Sequence, residues 1–383
     1  MPFATSPLTI ARVAVSTTFF VSGSVVASWV PHIPGMQRTL GLNPAQLGLV
    51  LLAPAVGMAI AMVLAGALCA RFGNARVIRG ATVFYCAAVP FTVLAPHPLA
   101  LGAVLVVMGL TNGLMGVAMN AEALEVERAY RRGINSSFHA LYSAGMLVGA
   151  SAGGLVIASG VSPALHLTVA AALIASAGLW ASFNVLSDAP DLLPERVPLF
   201  VRPTAYLALL GVGTFSAMLV EGAMADWAGI YLRDVLGTSE AWAAAGFTAF
   251  SLAMVAARLT GDWMNRRLGP VGIVRWGGCL ALVGLALAVF VRHPAVAITG
   301  FGLVGLGMAN VVPNFFAGSV RERRLAPSRA IAAVTSLGFA GFLVGPPIIG
   351  AIAQVTSLPV AMGVVAAFSG LVWALAGTLK AAP

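Results

Sequence analysis

The chain has 383 residues, 60% hydrophobic and only 9% charged, with a mean hydropathy of +0.96 and a formal net charge of +9. A soluble domain carries about 25% charged residues, so this chain has too few to coat a water-facing surface. Its long apolar runs read instead as membrane-crossing helices of roughly 20 residues each. No strand-like alternation is present, and in lipid a helix satisfies its own backbone polar groups. The class expected is an all-α membrane protein.

In chain order the apolar runs place helices at about Thr9–Val30, Pro44–Ala70, Val77–Leu94, Leu99–Val126, Ile134–Ser159 and Pro163–Leu186. Residues 187–202, rich in proline and charge, then read as a cytoplasmic linker. Six more helices follow near Pro203–Leu232, Ala241–Met264, Val271–Val291, Ala295–Val320, Ala330–Val355 and Pro359–Leu379. Twelve transmembrane helices thus divide into two six-helix bundles, 1–186 and 203–383. Pro54 and Gly57 are expected bend points in the second helix. The first carries Ser16, Thr17, Thr18, Ser22, Ser24 and Ser28, about half of which are expected to bond their own backbone.

The two halves share an internal repeat. A shift of 196 positions carries Gly109, Arg128, Gly145, Leu147, Val148 and Gly149 onto Gly305, Arg324, Gly341, Leu343, Val344 and Gly345. The same shift carries Arg71, Gly73 and Arg79 onto Arg267, Gly269 and Arg275. One offset serving separate regions marks a duplicated architecture.

Charge fixes an expected orientation. Arg71, Arg76 and Arg79, the Arg128–Arg132 turn, Arg196, Arg202, Arg266, Arg267, Arg275 and the arginines of 321–329 fall on one side, while Arg38, Arg233 and Arg292 fall on the other. That is the positive-inside pattern with both termini cytoplasmic, the N-terminal apolar run being a retained first helix. Short basic loops do not make the continuous basic face that nucleic acid requires, so no nucleic-acid partner is expected. Cys69, Cys86 and Cys279 have no paired spacing and imply neither disulfide nor metal site. The only lysine is Lys380, which excludes a phosphate-binding loop ending in Lys-Ser/Thr. No catalytic triad or zinc-ligand spacing stands out; no enzyme activity, metal or cofactor is expected.

An ionisable residue inside a membrane is a functional candidate by default. Glu221 lies about 17 residues into the seventh helix, in its outer part, and Asp226 lies near the outer boundary. Glu221 is read as a substrate- or proton-binding group, Asp226 as a solvated helix-end acid or a second such group. Glu122 and His139 flank one tight turn at similar depth and read as a gate, a packing pair or a proton relay. Arg258 and Asp262 stand i, i+4 on the eighth helix, the spacing of a structural ion pair at a gate. Asn310 and Asn314, around Pro313, and Asn112 and Asn120 suit a polyhydroxylated ligand or act as glue between helices. Trp29, Trp227 and Trp242 read as interfacial anchors or as sugar-stacking platforms. The Gly145, Gly149, Gly153 row and the Gly341, Gly345 pair let helices approach closely.

The stretch Gly66–Arg76, GALCARFGNAR, resembles the loop 2–3 signature of the major facilitator superfamily, with Gly66, Arg71, Gly73 and Arg76 in place and Ala70 where an Asp is expected. The second copy, RLTGDWMNRRLG, is a partial match with Asp262 one turn early. VAMNAEALEVER, SSFHALYSAG and EGAMADWAGIYLRD resemble the MosC-like bacterial branch, which is distantly similar to fucose-permease-type sugar–proton symporters. Gly116 stands where the fucose-permease type has an acid four positions before the Asn of helix 4. The resemblance implies a monomeric secondary transporter in the bacterial inner membrane, working by alternating access. Its small polar solute would be sugar- or cyclitol-like, and the proton gradient would drive it. Export of amphipathic compounds and a non-transporting receptor on the same scaffold stand as alternatives.

Overall fold

A computed structural model describes residues 6–186 and 203–380, apart from the side chains of Ser136, Asp262 and Ser328. The linker expected at 187–202 lies outside the described residues. Among the described residues there is no strand, and twelve helices are long and apolar enough to cross a membrane. In the first half they are α1 Pro7–Thr39, α2 Pro44–Phe72, α3 Asn74–Leu94, α4 Pro98–Tyr130, α5 Ser137–Ala158 and α6 Pro163–Ser182. In the second half they are α7 Ala205–Val235, α8 Glu240–Leu259, α9 Trp263–Val291, α10 Pro294–Ser319, α11 Arg329–Val355 and α12 Leu358–Lys380.

Local sequence explains many of the ends. Ser6, Asn43, Ser162, Thr204 and Ser239 each accept a backbone N–H of the first turn, and Pro7, Pro44, Pro98, Pro163 and Pro294 open helices where their missing N–H costs nothing. Breaks follow proline as well. Helix α2 is interrupted at Leu52, two residues before Pro54, and α10 at Ala309–Asn310, four and three before Pro313. A proline removes the N–H that would reach the carbonyl four residues back. Helix α8 ends at Leu259 rather than near Met264, so Asp262 opens the next helix instead of following Arg258 on the same one. Thr260 stops α8 with its hydroxyl bonded back to Ala256, and Gly261 sits against the Asn310 side chain.

The described chain falls into two compact units, Met1–His32 with Ala53–Glu195, and Ile33–Leu52 with Arg196–Pro383. The C-terminal end of α1 and the start of α2 therefore belong with the second half. Within each unit the helix pairing repeats: α1 packs on α5 as α7 does on α11, α2 on α4 as α8 does on α10, and α3 on α4 as α9 does on α10.

The repeat extends to single glycines. A Cβ on Gly109 would meet the Pro54 carbonyl oxygen at 1.9 Å, and one on its counterpart Gly305 would meet that of Phe250 at 2.1 Å. Pro54 and Phe250 are themselves 196 apart. Gly73 and Gly269, also 196 apart, both turn the chain with φ of 82° and 65° and ψ of 154° and 169°, a region open essentially to glycine alone. That requirement is why the loop signature carries a glycine in each half.

Candidate functional site

Helix α7 carries the acids of interest. Glu221 is the seventeenth of its 31 residues. Glu221 therefore lies near the middle of the helix's length. It is half-buried, makes no hydrogen bond to a described residue, and feels the charge of Arg258 on α8. Asp226, also half-buried, has no polar partner among the described residues. Trp227 is fully buried and its indole N–H is unsatisfied among the described residues. It belongs to the buried stripe of Ala223, Trp227 and Tyr231 at helical spacing, so it is a core residue and not an interfacial anchor. Trp29 is likewise buried, whereas Trp242 is 61% exposed.

Arg258 and Asn310 bind their helices together reciprocally. The Asn310 amide donates to the Ala257 carbonyl at 3.0 Å, and the Arg258 Nε–H donates to the Ala309 carbonyl at 3.4 Å. Ala309 is the residue whose carbonyl Pro313 leaves without its helical N–H. The Asn314 amide donates to the Asn310 carbonyl at 2.8 Å. The Asn310 amide N–H is thus engaged by the fold. The side chain of Asp262, read from sequence as the partner of Arg258, lies outside the described residues.

In the first unit Asn112 accepts the Ser22 hydroxyl at 3.0 Å, joining α4 to α1. Asn120 is exposed and donates to the Gly116 carbonyl of its own helix. Glu122 is fully buried, and the exposed His139 packs edge-on against Phe19, ring centroids 5.1 Å apart. Of the six α1 hydroxyls singled out in the sequence, those of Thr17, Thr18, Ser24 and Ser28 bond their own backbone. In the loop signature Gly66 is exposed, Arg71 lies over the Phe72 ring, and Arg76 donates to the Phe72 carbonyl at 3.3 Å. Beyond it Arg79 stacks on Phe183 at 3.6 Å and reaches the Ser182 hydroxyl, tying α3 to α6.

Two residues were not legible as a pair. His32 and His166, 134 positions apart, are both buried and share a hydrogen bond of 2.9 Å between Nε2 and Nδ1. No local spacing signals such a contact; only the rarity of a histidine at two helix ends does. Among the described residues no group of three or more His, Cys, Asp or Glu could hold a metal ion.

Comparison with known proteins places this arrangement. The sequence profile described as Major Facilitator Superfamily matches residues 15–322. An uncharacterized MFS-type transporter of Yersinia pestis is 36% identical over 355 residues, 93% of this chain and 92% of that one. Membrane protein MosC of Rhizobium meliloti is 32% identical over 345 residues, 90% and 84% of the two chains. The crystal structure of the nucleoside transporter NupG superposes with a TM-score of 0.72 at 15% identity, covering 98% of this chain and all of that one, a likeness of fold. The family and these relatives are transporters, not enzymes.

Proposed function

The chain belongs to the major facilitator superfamily, and on that premise we propose that it is a proton-coupled secondary transporter of a small polar, sugar- or cyclitol-like solute. It works by alternating access, as a monomer in the cytoplasmic membrane of a bacterium with both termini inside. The observation that carries the coupling is Glu221: a half-buried carboxyl at mid-length of α7, hydrogen-bonded to no described residue. An acid at the centre of a membrane helix costs roughly 2.5–3.5 kcal/mol on insertion scales. A group retained at that cost serves well as the one that takes up and releases the proton. The sugar-like solute rests on the resemblance of three segments, that in α7 among them, to the MosC-like branch and its distant similarity to the fucose-permease type, and the orientation on the placement of arginines.

The test is uptake of labelled sugars and cyclitols into proteoliposomes with and without a pH gradient. Glu221→Gln keeps the shape but not the titration, and should abolish gradient-driven accumulation while sparing counterflow exchange. Accumulation against a gradient with unchanged pH dependence in that variant refutes the assignment, and Glu122 with His139 becomes the pair to test. For orientation, single cysteines at Gly133 and at Arg292 are compared in intact cells. An impermeant thiol reagent should modify only the second.

A further inference from the structure

Helix α1 carries one charged residue that neither the coupling nor the packing uses. Arg12 lies in the second turn of α1, half-buried, with its guanidinium over the Tyr130 ring at 5.3 Å and no hydrogen bond or ion pair to any described residue. It lines a cavity of about 430 Å³ whose wall also includes Thr9, Ser16, Thr17, Phe20 and Tyr130. That volume lies in the range of about 300–1,000 Å³ typical of small-molecule sites.

The chemistry of the lining is one-sided. No carboxylate contributes to the wall, while the hydroxyl-bearing Thr9, Ser16, Thr17 and Tyr130 do. The Ser16 hydroxyl has no partner among the described residues. The Thr17 hydroxyl spends its proton on the Val13 carbonyl and keeps its lone pairs free to accept. Tyr130 ends α4 beside Arg128, Arg131 and Arg132, which adds positive potential at the mouth. With no hydrogen bond to a described residue, the Arg12 N–H groups remain available for a planar, bidentate acceptor. Arg12 has no ionic partner among the described residues, so within the pocket it can balance one negative charge.

We infer that this pocket is a binding site for a small hydroxylated monocarboxylate. The carboxylate sits on the Arg12 guanidinium, and the chain hydroxyls meet Ser16, Thr17 and Tyr130. The site is formed by residues of the first unit alone and does not rest on the coupling assignment.

The test is calorimetric titration of the full-length protein in phosphatidylcholine nanodiscs with three probes: sodium gluconate (charge and hydroxyls), sorbitol (hydroxyls only) and sodium acetate (charge only). Gluconate should bind at least about tenfold more tightly than either, since a charge-assisted contact and several neutral ones act together. Arg12→Gln should lower gluconate affinity at least about tenfold and leave sorbitol unchanged, with Arg12→Lys between, because a point charge loses the bidentate fit. Tyr130→Phe and Ser16→Ala, which keep the ring and the helix, should each weaken gluconate by roughly threefold or more, and they serve if Arg12→Gln does not fold. Equal affinity for the three probes overturns the inference, as does undiminished gluconate binding by Arg12→Gln. Loss of gluconate binding when phosphatidylglycerol replaces phosphatidylcholine assigns the site to a lipid headgroup and also overturns it.

Discussion

Arg258 supplies the donor that Pro313 lacks. Pro313 has no N–H for the carbonyl of Ala309, and the Arg258 Nε–H occupies that carbonyl from the neighbouring helix at 3.4 Å. The proline break and the arginine are therefore one device. If so, Arg258→Met should destabilise the wild type more than it destabilises a Pro313→Ala background, where the helix satisfies Ala309 itself. A double-mutant cycle on thermal unfolding in detergent should return a coupling of about 0.6–1.7 kcal/mol, the scale of hydrogen bonds between membrane helices. Strict additivity would show that the contact contributes nothing.

Gly145 marks a place where two backbones touch. A Cβ there would come within 2.1 Å of the Phe20 carbonyl oxygen, and one on its repeat partner Gly341 within 2.3 Å of that of Phe215. Neither neighbour is the tip of a flexible side chain, so the helices themselves must part. Gly145→Ala and Gly341→Ala should each cost roughly 1–3 kcal/mol by overpacking, lowering thermal stability. Gly116→Ala, with nothing within 4 Å, should not. Equal stability of all three variants would remove the seam from the account.

Two arginines of the second unit separate exposed from buried charge pairs. Arg38, 62% exposed, pairs with Glu240, and such pairs contribute about 0–1 kcal/mol. The Arg233 side chain is 9% exposed and donates to the Gln37 side chain at 2.7 Å, to Asp234 and to the Pro34 carbonyl. Arg233→Gln should lower stability by more than about 1.5 kcal/mol, the value of one hydrogen bond to a charged group. Glu240→Gln should lower it by less than about 1 kcal/mol, and added salt should erase most of that difference. The reverse order in guanidinium unfolding would contradict this ranking.

The start of α7 carries a pH signature. The Thr204 hydroxyl donates to the Glu322 carboxylate while accepting the Leu207 N–H, and the Arg324 amide donates to the other carboxylate oxygen at 3.0 Å. The Thr204 hydroxyl first, and then the Arg324 amide, hold Glu322 below the ordinary glutamate value of 4.5. In the acid range the native state therefore binds fewer protons here than the unfolded chain, so stability rises with pH. The contribution is complete above the unfolded value and disappears as pH falls through the lower native one. Thermal unfolding followed from pH 6 to pH 3 should show a steeper acid loss in the wild type than in Glu322→Gln or Thr204→Val. Superimposable curves would exclude this linkage.

Much of the architecture was legible because the bilayer imposes simple demands. Run length located the helices, and the 196-residue offset paired Gly109 with Gly305, which make equivalent contacts on Pro54 and Phe250. Side-chain commitments were not legible. Asn310 reads equally as ligand donor or helix glue until its amide is seen on Ala257. The spacing of Arg258 and Asp262 implied one continuous helix, whereas α8 stops at Thr260, beside which the Asn310 side chain packs on Gly261. Trp227 looked like a boundary anchor because only tertiary packing decides which face of α7 is buried. His32 with His166 and the Arg12 cavity join residues far apart in sequence, beyond the reach of any local pattern.

The close approach of α1 and α5 has a practical consequence. Gly23 meets the Tyr142 carbonyl, Gly145 that of Phe20 and Gly149 that of Ser24, so the pair is fastened backbone to backbone over successive turns. Much of α1 is buried and offers few places for a reporter, whereas Leu155 on α5 is 70% exposed and Val148 is 51% exposed. A spin label or fluorophore at Leu155 would travel with the helix that carries Arg12 without occupying any of its surface. In spectroscopic terms α5 is the handle by which the motion of α1 can be read.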